Sequence, residues 1–225
     1  MKKDLMKKIF FIILISLILI QCSNKKSRLK KAFKDFRGKY ILYITKHNFN
    51  LNVYNTHFDI IESYKIGYGS NPDKMAKLYC GDNRTPEGIY EIIEMLSMDA
   101  DKNRSSYKKL KEMNNVYFKA KDGHPKYGKP DVDLGKNAYG SRFFRLNYPN
   151  SEDLLIYKNA ITQGKIALIN NNPRSIGSGI AIHGNNDEHS ISQLSSSGCI
   201  RMYNADIVEL EKYVQIGTPV IISAK

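Results

Sequence analysis

The chain has no tryptophan, and among its 225 residues only three cysteines and five histidines. No cysteines stand as Cys-x-x-Cys and no histidines as His-x-x-His, so the usual zinc-ligand spacing is missing and no metal is expected. No apolar run is long enough to span a bilayer. The longest, Ile9 to Ile20, holds 12 residues, where about 20 are needed. No internal repeat and no second domain boundary is visible, which argues against solenoid and two-domain architectures. Acidic residues are outnumbered, 22 against 35 basic, giving a formal charge of +13. What the chain does have is an apolar fraction of 42%, compatible with a real core and incompatible with global disorder.

The short apolar run follows Lys2, Lys3, Lys7 and Lys8, the form of an export signal. It stops at Gln21-Cys22, where the cysteine resembles the lipobox of bacterial lipoproteins, in which cleavage precedes a cysteine that then carries lipid. Gln21 departs from the small residue that pattern prefers. The expectation is a signal over 1–22 and an exported chain in the periplasm or cell envelope, membrane-anchored at Cys22. A plain cleaved signal and an uncleaved anchor are the alternatives. Removing four lysines and one aspartate with the signal leaves about +10, a charge that favours anionic partners. For an exported protein these are lipid or wall polymer, and nucleic acid is not expected. Residues 23–38, with six basic side chains between Lys25 and Lys34, read as a basic linker able to lie against an anionic membrane surface. A solvated linker or a short basic helix is the alternative.

Strand-like runs follow at Tyr40 to Thr45, Leu51 to Tyr54, Ile60 to Ile66, Gly88 to Glu94, Arg142 to Leu146, Ile166 to Asn170, Ile180 to His183 and Pro219 to Ser223. They are rich in Ile, Tyr, Val and Phe and separated by turn residues, which predicts a mainly β domain. A helix is predicted after Asn204 or Asp206, either of which can cap it, with Ile207, Leu210 and Val214 on one face and Gly217 at its end. The polar stretch 97–138 reads as loops bordering a site, with a short helix around Ser106 to Met113.

Chemistry concentrates in IHGNNDEHSISQLSSSGCIRM, residues 182–202. His183 ends the run GIAIH, Gly184 turns the chain, and Cys199 follows after small residues. A cysteine attacks as thiolate, and an imidazole can accept the thiol proton or pair with the anion. The small residues SSSG permit close backbone approach and can aim amide hydrogens at an oxyanion. Spacing alone leaves three readings open: a Cys-His acyl-transfer pair, a metal site of His183, His189 and Cys199, or a buried structural cysteine. A papain-like thiol peptidase would place its cysteine before its histidine, the reverse of the order here. An exported compartment would permit Cys80 to pair with Cys199, but a reduced Cys199 is expected. His189 reads as solvated, His124 lies in a turn-rich stretch, and Tyr90 and Tyr139 either line a groove or belong to the core.

The combination of His183-Gly184 with Ser196 or Ser197, Gly198, Cys199, Arg201, Asn204 and Asp206 resembles the signature of the YkuD-type L,D-transpeptidases. Arg84-Thr85-Pro86-Glu87-Gly88-Ile89-Tyr90 resembles that family's Thr-Pro-x-Gly-x-[Phe/Tyr] segment, and Tyr40 to Tyr54 its opening hairpin. Two features depart: Ser197 stands where many members have histidine, and the segment Leu146 to Asn150 looks closest to a functionally mixed branch. The resemblance implies a catalytic domain over 39–225, a β-rich α+β fold. It would be a YkuD-like sandwich or set of mixed sheets with a C-terminal helix beside the catalytic loop. It further implies Cys199 as nucleophile, His183 as base, Gly184, Ser197 and Gly198 as oxyanion or substrate contacts, and Arg201 as carboxylate binder or loop organiser. The implied reaction takes peptidoglycan stem tetrapeptides, releases D-alanine and joins stems or anchors protein, without a cofactor. A hydrolase of the same fold or a silent wall-binding lipoprotein is the alternative.

Overall fold

The structure, a computed structural model, describes residues 25–115 and 137–225. The signal segment, Cys22 and His124 lie outside the described residues. In chain order the elements are α1 (25–34), β1 (Tyr40–Thr45), β2 (Asn50–Asn55), β3 (Ile60–Gly69), β4 (Gly88–Ser97), α2 (Ser105–Asn115) and β5 (Arg142–Leu146). They continue with α3 (Ser151–Thr162), β6 (Leu168–Ile169), β7 (Asn172–Pro173), β8 (Ala181–His183), β9 (Leu194–Ser196), β10 (Ile200–Met202), α4 (Asn204–Leu210) and β11 (Pro219–Ser223).

The mainly β expectation holds. The sheet runs β10-β8-β5-β4-β11-β1-β2-β3, and β3 pairs back onto β10, so these strands close on themselves around one interior. Closure removes the edges that an open sheet would leave unpaired. Alternation along each strand separates the interior from outer layers. Leu42 and Ile44 of β1 join Ile182, Ile200, Met202, Val220 and Ile222 inside, while Ile41 and Tyr43 face outward under α1. That is why β1 reads as a continuous apolar run. α4 follows directly on β10 and buries Ile207 and Leu210 in the same interior, with Val214 packed against it.

Several details differ from the expectations or choose among them. Residues 25–34 form the short basic helix that stood as the alternative to a linker, with Leu29 and Ala32 buried on β1, β2 and β11 and Phe33 and Phe36 beside them; this spacing is one helical face. The run Ile166 to Asn170 yields only the hairpin strand β6, whose Leu168 and Ile169 are exposed. α4 takes Tyr203 as its N-cap with no side-chain capping bond; Asn204 turns its amide to the Asn185 carbonyl at 2.7 Å and to Glu188 Oε1 at 3.1 Å instead. α3 was not foreseen, although Asn150 and Asp153 form a full capping box at its start. The short helix near Ser106 is present as α2 and packs Leu110 beneath the region described next.

Candidate active site

The site lies on the outer face of β8 and β10. These strands run parallel, with Ile200 opposite Ile182 and Arg201 opposite His183. Since Ile182, Ile200 and Met202 point inward, alternation puts Ala181, His183, Cys199 and Arg201 together on the outer face. Cys199 shares an apolar cluster with Ala181, Tyr139, Phe143, Leu96 and Leu110. The same two rings hold His183: Tyr139 meets it edge-on at 5.0 Å and Phe143 stacks at 5.8 Å.

The imidazole is buried, and Nδ1 is hydrogen-bonded to the Gly184 carbonyl. A carbonyl only accepts, so Nδ1 carries the hydrogen and Nε2 keeps its lone pair. Burial drives the imidazole pKa down from 6.5 to about 3; the Gly184 bond opposes that shift and the Arg201 charge adds to it. The ring is therefore neutral at physiological pH. Of the two ways an imidazole can serve a cysteine, this environment favours accepting the thiol proton during attack over a resting thiolate–imidazolium pair. Cys199 is buried, its Sγ 3.6 Å from the Gly179 carbonyl, and neither it nor Cys80 sits in a disulfide.

The turn before Cys199 is tied from two sides. Ser196 Oγ donates to the Cys199 carbonyl at 2.5 Å and accepts from the Gly198 amide at 3.0 Å. Thr85 Oγ1, also buried, donates to the Gly198 carbonyl at 2.8 Å and accepts from the Gly69 amide at 2.9 Å. Gly198 has φ +140°, and a Cβ there would lie 2.8 Å from the Arg84 carbonyl oxygen, so only glycine fits. The Gly184 amide donates to the Arg142 carbonyl at 3.2 Å. Both glycine amides are thus engaged within the chain, and Ser196 is the serine whose hydroxyl ties the turn.

Arg201 is half-buried, and its Nε has no hydrogen-bond partner among the described residues. A guanidinium presents a fork suited to two carboxylate oxygens, and this one lies opposite His183. Several other candidates fall away from the site. His189 is exposed in a 3-10 turn, Glu188–Ser190. Tyr90 is core, its hydroxyl 2.8 Å from Asp153 in the α3 cap, whereas Tyr139 does border the site. No group of three His, Cys, Asp or Glu side chains among the described residues is arranged to hold a metal. Sequence reasoning passed over Asn185, which is buried and holds the 184–190 loop by donating to the Met202 carbonyl at 2.9 Å and accepting from the Asp187 amide at 2.8 Å. Its position directly after His183-Gly184 was the available signal.

Residues 39–222 match the family model described as YkuD, the L,D-transpeptidase catalytic domain. The chain belongs to that family. Among curated proteins, it is 45% identical over 42 residues to YqjB and 50% identical over 42 residues to YkuD, both of Bacillus subtilis (strain 168) and both provisionally named as L,D-transpeptidases. Those stretches cover 19% of this chain and only 24% and 26% of the two relatives. Among solved structures, the helical cell shape determining protein Pgp2 of Campylobacter jejuni is similar with a TM-score of 0.49 and 21% identity, over 83% of this chain and 47% of that one. Within the L,D-transpeptidase domain, the Thr85 segment that resembles the family's upstream motif is the segment that fixes Gly198 from across the fold.

Proposed function

We propose that this chain is a peptidoglycan L,D-transpeptidase working by cysteine acyl transfer. His183 Nε2 takes the proton from Cys199 as Sγ attacks the carbonyl of residue three in a stem tetrapeptide. The bond from that carbonyl to the terminal D-alanine nitrogen breaks, and the leaving amine receives the proton back from His183. A thioester on Cys199 remains. An amine from a second stem then attacks the thioester, yielding a 3-3 cross-link and restoring the thiol; a protein amine in its place gives anchoring. Arg201 holds a substrate carboxylate beside the reacting carbonyl. No cofactor takes part.

The observation that carries this reading is the presence of His183, Cys199 and Arg201 on one face of the β8–β10 pair, with the Gly184 carbonyl fixing the histidine tautomer that leaves Nε2 able to accept a proton. We further propose that the domain works outside the cytoplasm, held at the membrane through Cys22 or the N-terminal apolar segment. Among the described residues, no helix is long and apolar enough to cross a membrane. Mass analysis of muropeptides after incubation with purified wall tests the reaction. Products joined through two residue-three amino acids support the proposal. Shortened stems alone would make the chain a hydrolase, and unchanged wall would make it a binding protein.

A further inference from the structure

We propose that α1 and the first turns of α3 form a surface that seats the domain flat on an anionic phospholipid membrane. The helix 25–34 carries six basic residues and no acidic one. Its Leu29 and Ala32 are buried in the fold, so Lys26, Lys30 and Lys34, at i, i+4 spacing, and Lys31 project from a fixed face. Lys25 lies over the rings of Tyr43 and Tyr54 at 4.9 and 5.0 Å and secures the start of the helix.

A cationic helix face by itself is compatible with simple solvation; the neighbouring element argues for lipid. Lys31 reaches Glu152 in the first turn of α3 at 3.5 Å, which joins the start of α3 to the cationic face of α1. On α3, Leu154, Leu155 and Ile156 are 42%, 61% and 48% exposed, and the last two lie three and four residues from Glu152, on its side of the helix. Exposed leucine and isoleucine beside a bank of lysines is the composition of a surface that sits at the headgroup boundary, apolar side chains entering and cations pairing with lipid phosphates. At the C-terminal end of α1, Arg37, Lys39 and Lys212 line a cavity of about 320 Å³ with Phe36, Tyr40 and Tyr213, adding cations next to the same helix. In sequence, the apolar run ending at Ile20 stands only four residues before α1, so whatever holds that run at a membrane holds α1 near it. This surface is separate from the site on β8 and β10.

The test compares backbone amide exchange of the full chain bound to vesicles of phosphatidylcholine alone and of phosphatidylcholine with phosphatidylglycerol. Protection of residues 25–36 and 151–157 with the anionic vesicles only, lost at high salt and in a Lys26→Glu, Lys30→Glu, Lys34→Glu variant, is the expected result. A Leu155→Asp variant should lose protection at α3 while exchange across β1 and β11 stays as in the parent, which separates lost docking from lost folding. Equal exchange on both vesicles, protection unchanged in the charge-reversed variant, or protection given by soluble wall fragments and not by vesicles would each overturn the proposal. The readout does not depend on turnover, so it stands or falls separately from the chemistry at Cys199.

Discussion

Arg201 and His183 are register partners across the parallel pair β8 and β10, and the guanidinium charge makes the imidazole harder to protonate. In the proposed reaction, one residue thus faces both the substrate and the base. Arg201→Ala should lower kcat/KM roughly ten- to hundredfold, the equivalent of ~1.5–3 kcal/mol for a hydrogen bond to a charged group. It should also move the acidic limb of the pH profile upward, because a nearby positive charge has gone. Arg201→Lys should keep that limb and lose the two-pronged grip. Steady-state kinetics across pH separate the two effects.

Thr85 links β3 to the turn before Cys199 through one hydroxyl. Thr85→Val keeps the shape but strands the Gly69 amide and the Gly198 carbonyl, a cost of about 1–3 kcal/mol for each buried group left unmet. Denaturant unfolding should show that loss. kcat should fall more than KM rises, since the change loosens Cys199 rather than the substrate contacts. Equal kcat in the variant would remove Thr85 from the positioning of the turn.

The buried imidazole also makes stability depend on pH. In the unfolded chain His183 takes a proton near its ordinary 6.5, but the folded chain resists protonation down to about 3. The stabilisation is whole above pH 6.5 and is lost as pH falls toward 3, at about 1.4 kcal/mol per pH unit at most. Unfolding midpoints measured from pH 7 to pH 4 should fall more steeply for the parent than for His183→Asn, which has no such proton to exclude. Parallel curves would contradict a neutral, buried His183.

Much of this was legible in the sequence where a strand is long and its burial regular. β1, β5 and β11 fall where their apolar runs predicted, since those runs are buried in the fold. β9 and β10 have three residues each, too few for a period to register, so the pairing that sets Arg201 opposite His183 emerged only with the fold. α3 was missed for the opposite reason. Of its residues only Asp153 and Ala160 are buried, and its exposed leucines blur the stripe that marks a helix. The pair His183 and Cys199 could be found from the signature, but not the bond between Thr85 and Gly198, which spans 113 positions and depends on sheet closure. Ser196 and Ser197 are indistinguishable by spacing; the bonds of Ser196 Oγ to the Cys199 carbonyl and from the Gly198 amide tell them apart.

The most direct test of the account is intact-mass measurement of the chain after brief exposure to a stem tetrapeptide without an acceptor amine. The account predicts an adduct equal to the tetrapeptide less D-alanine, mapped to Cys199, labile to hydroxylamine and missing from Cys199→Ala. Turnover persisting in Cys199→Ala, or an adduct mapped to another residue, would contradict it.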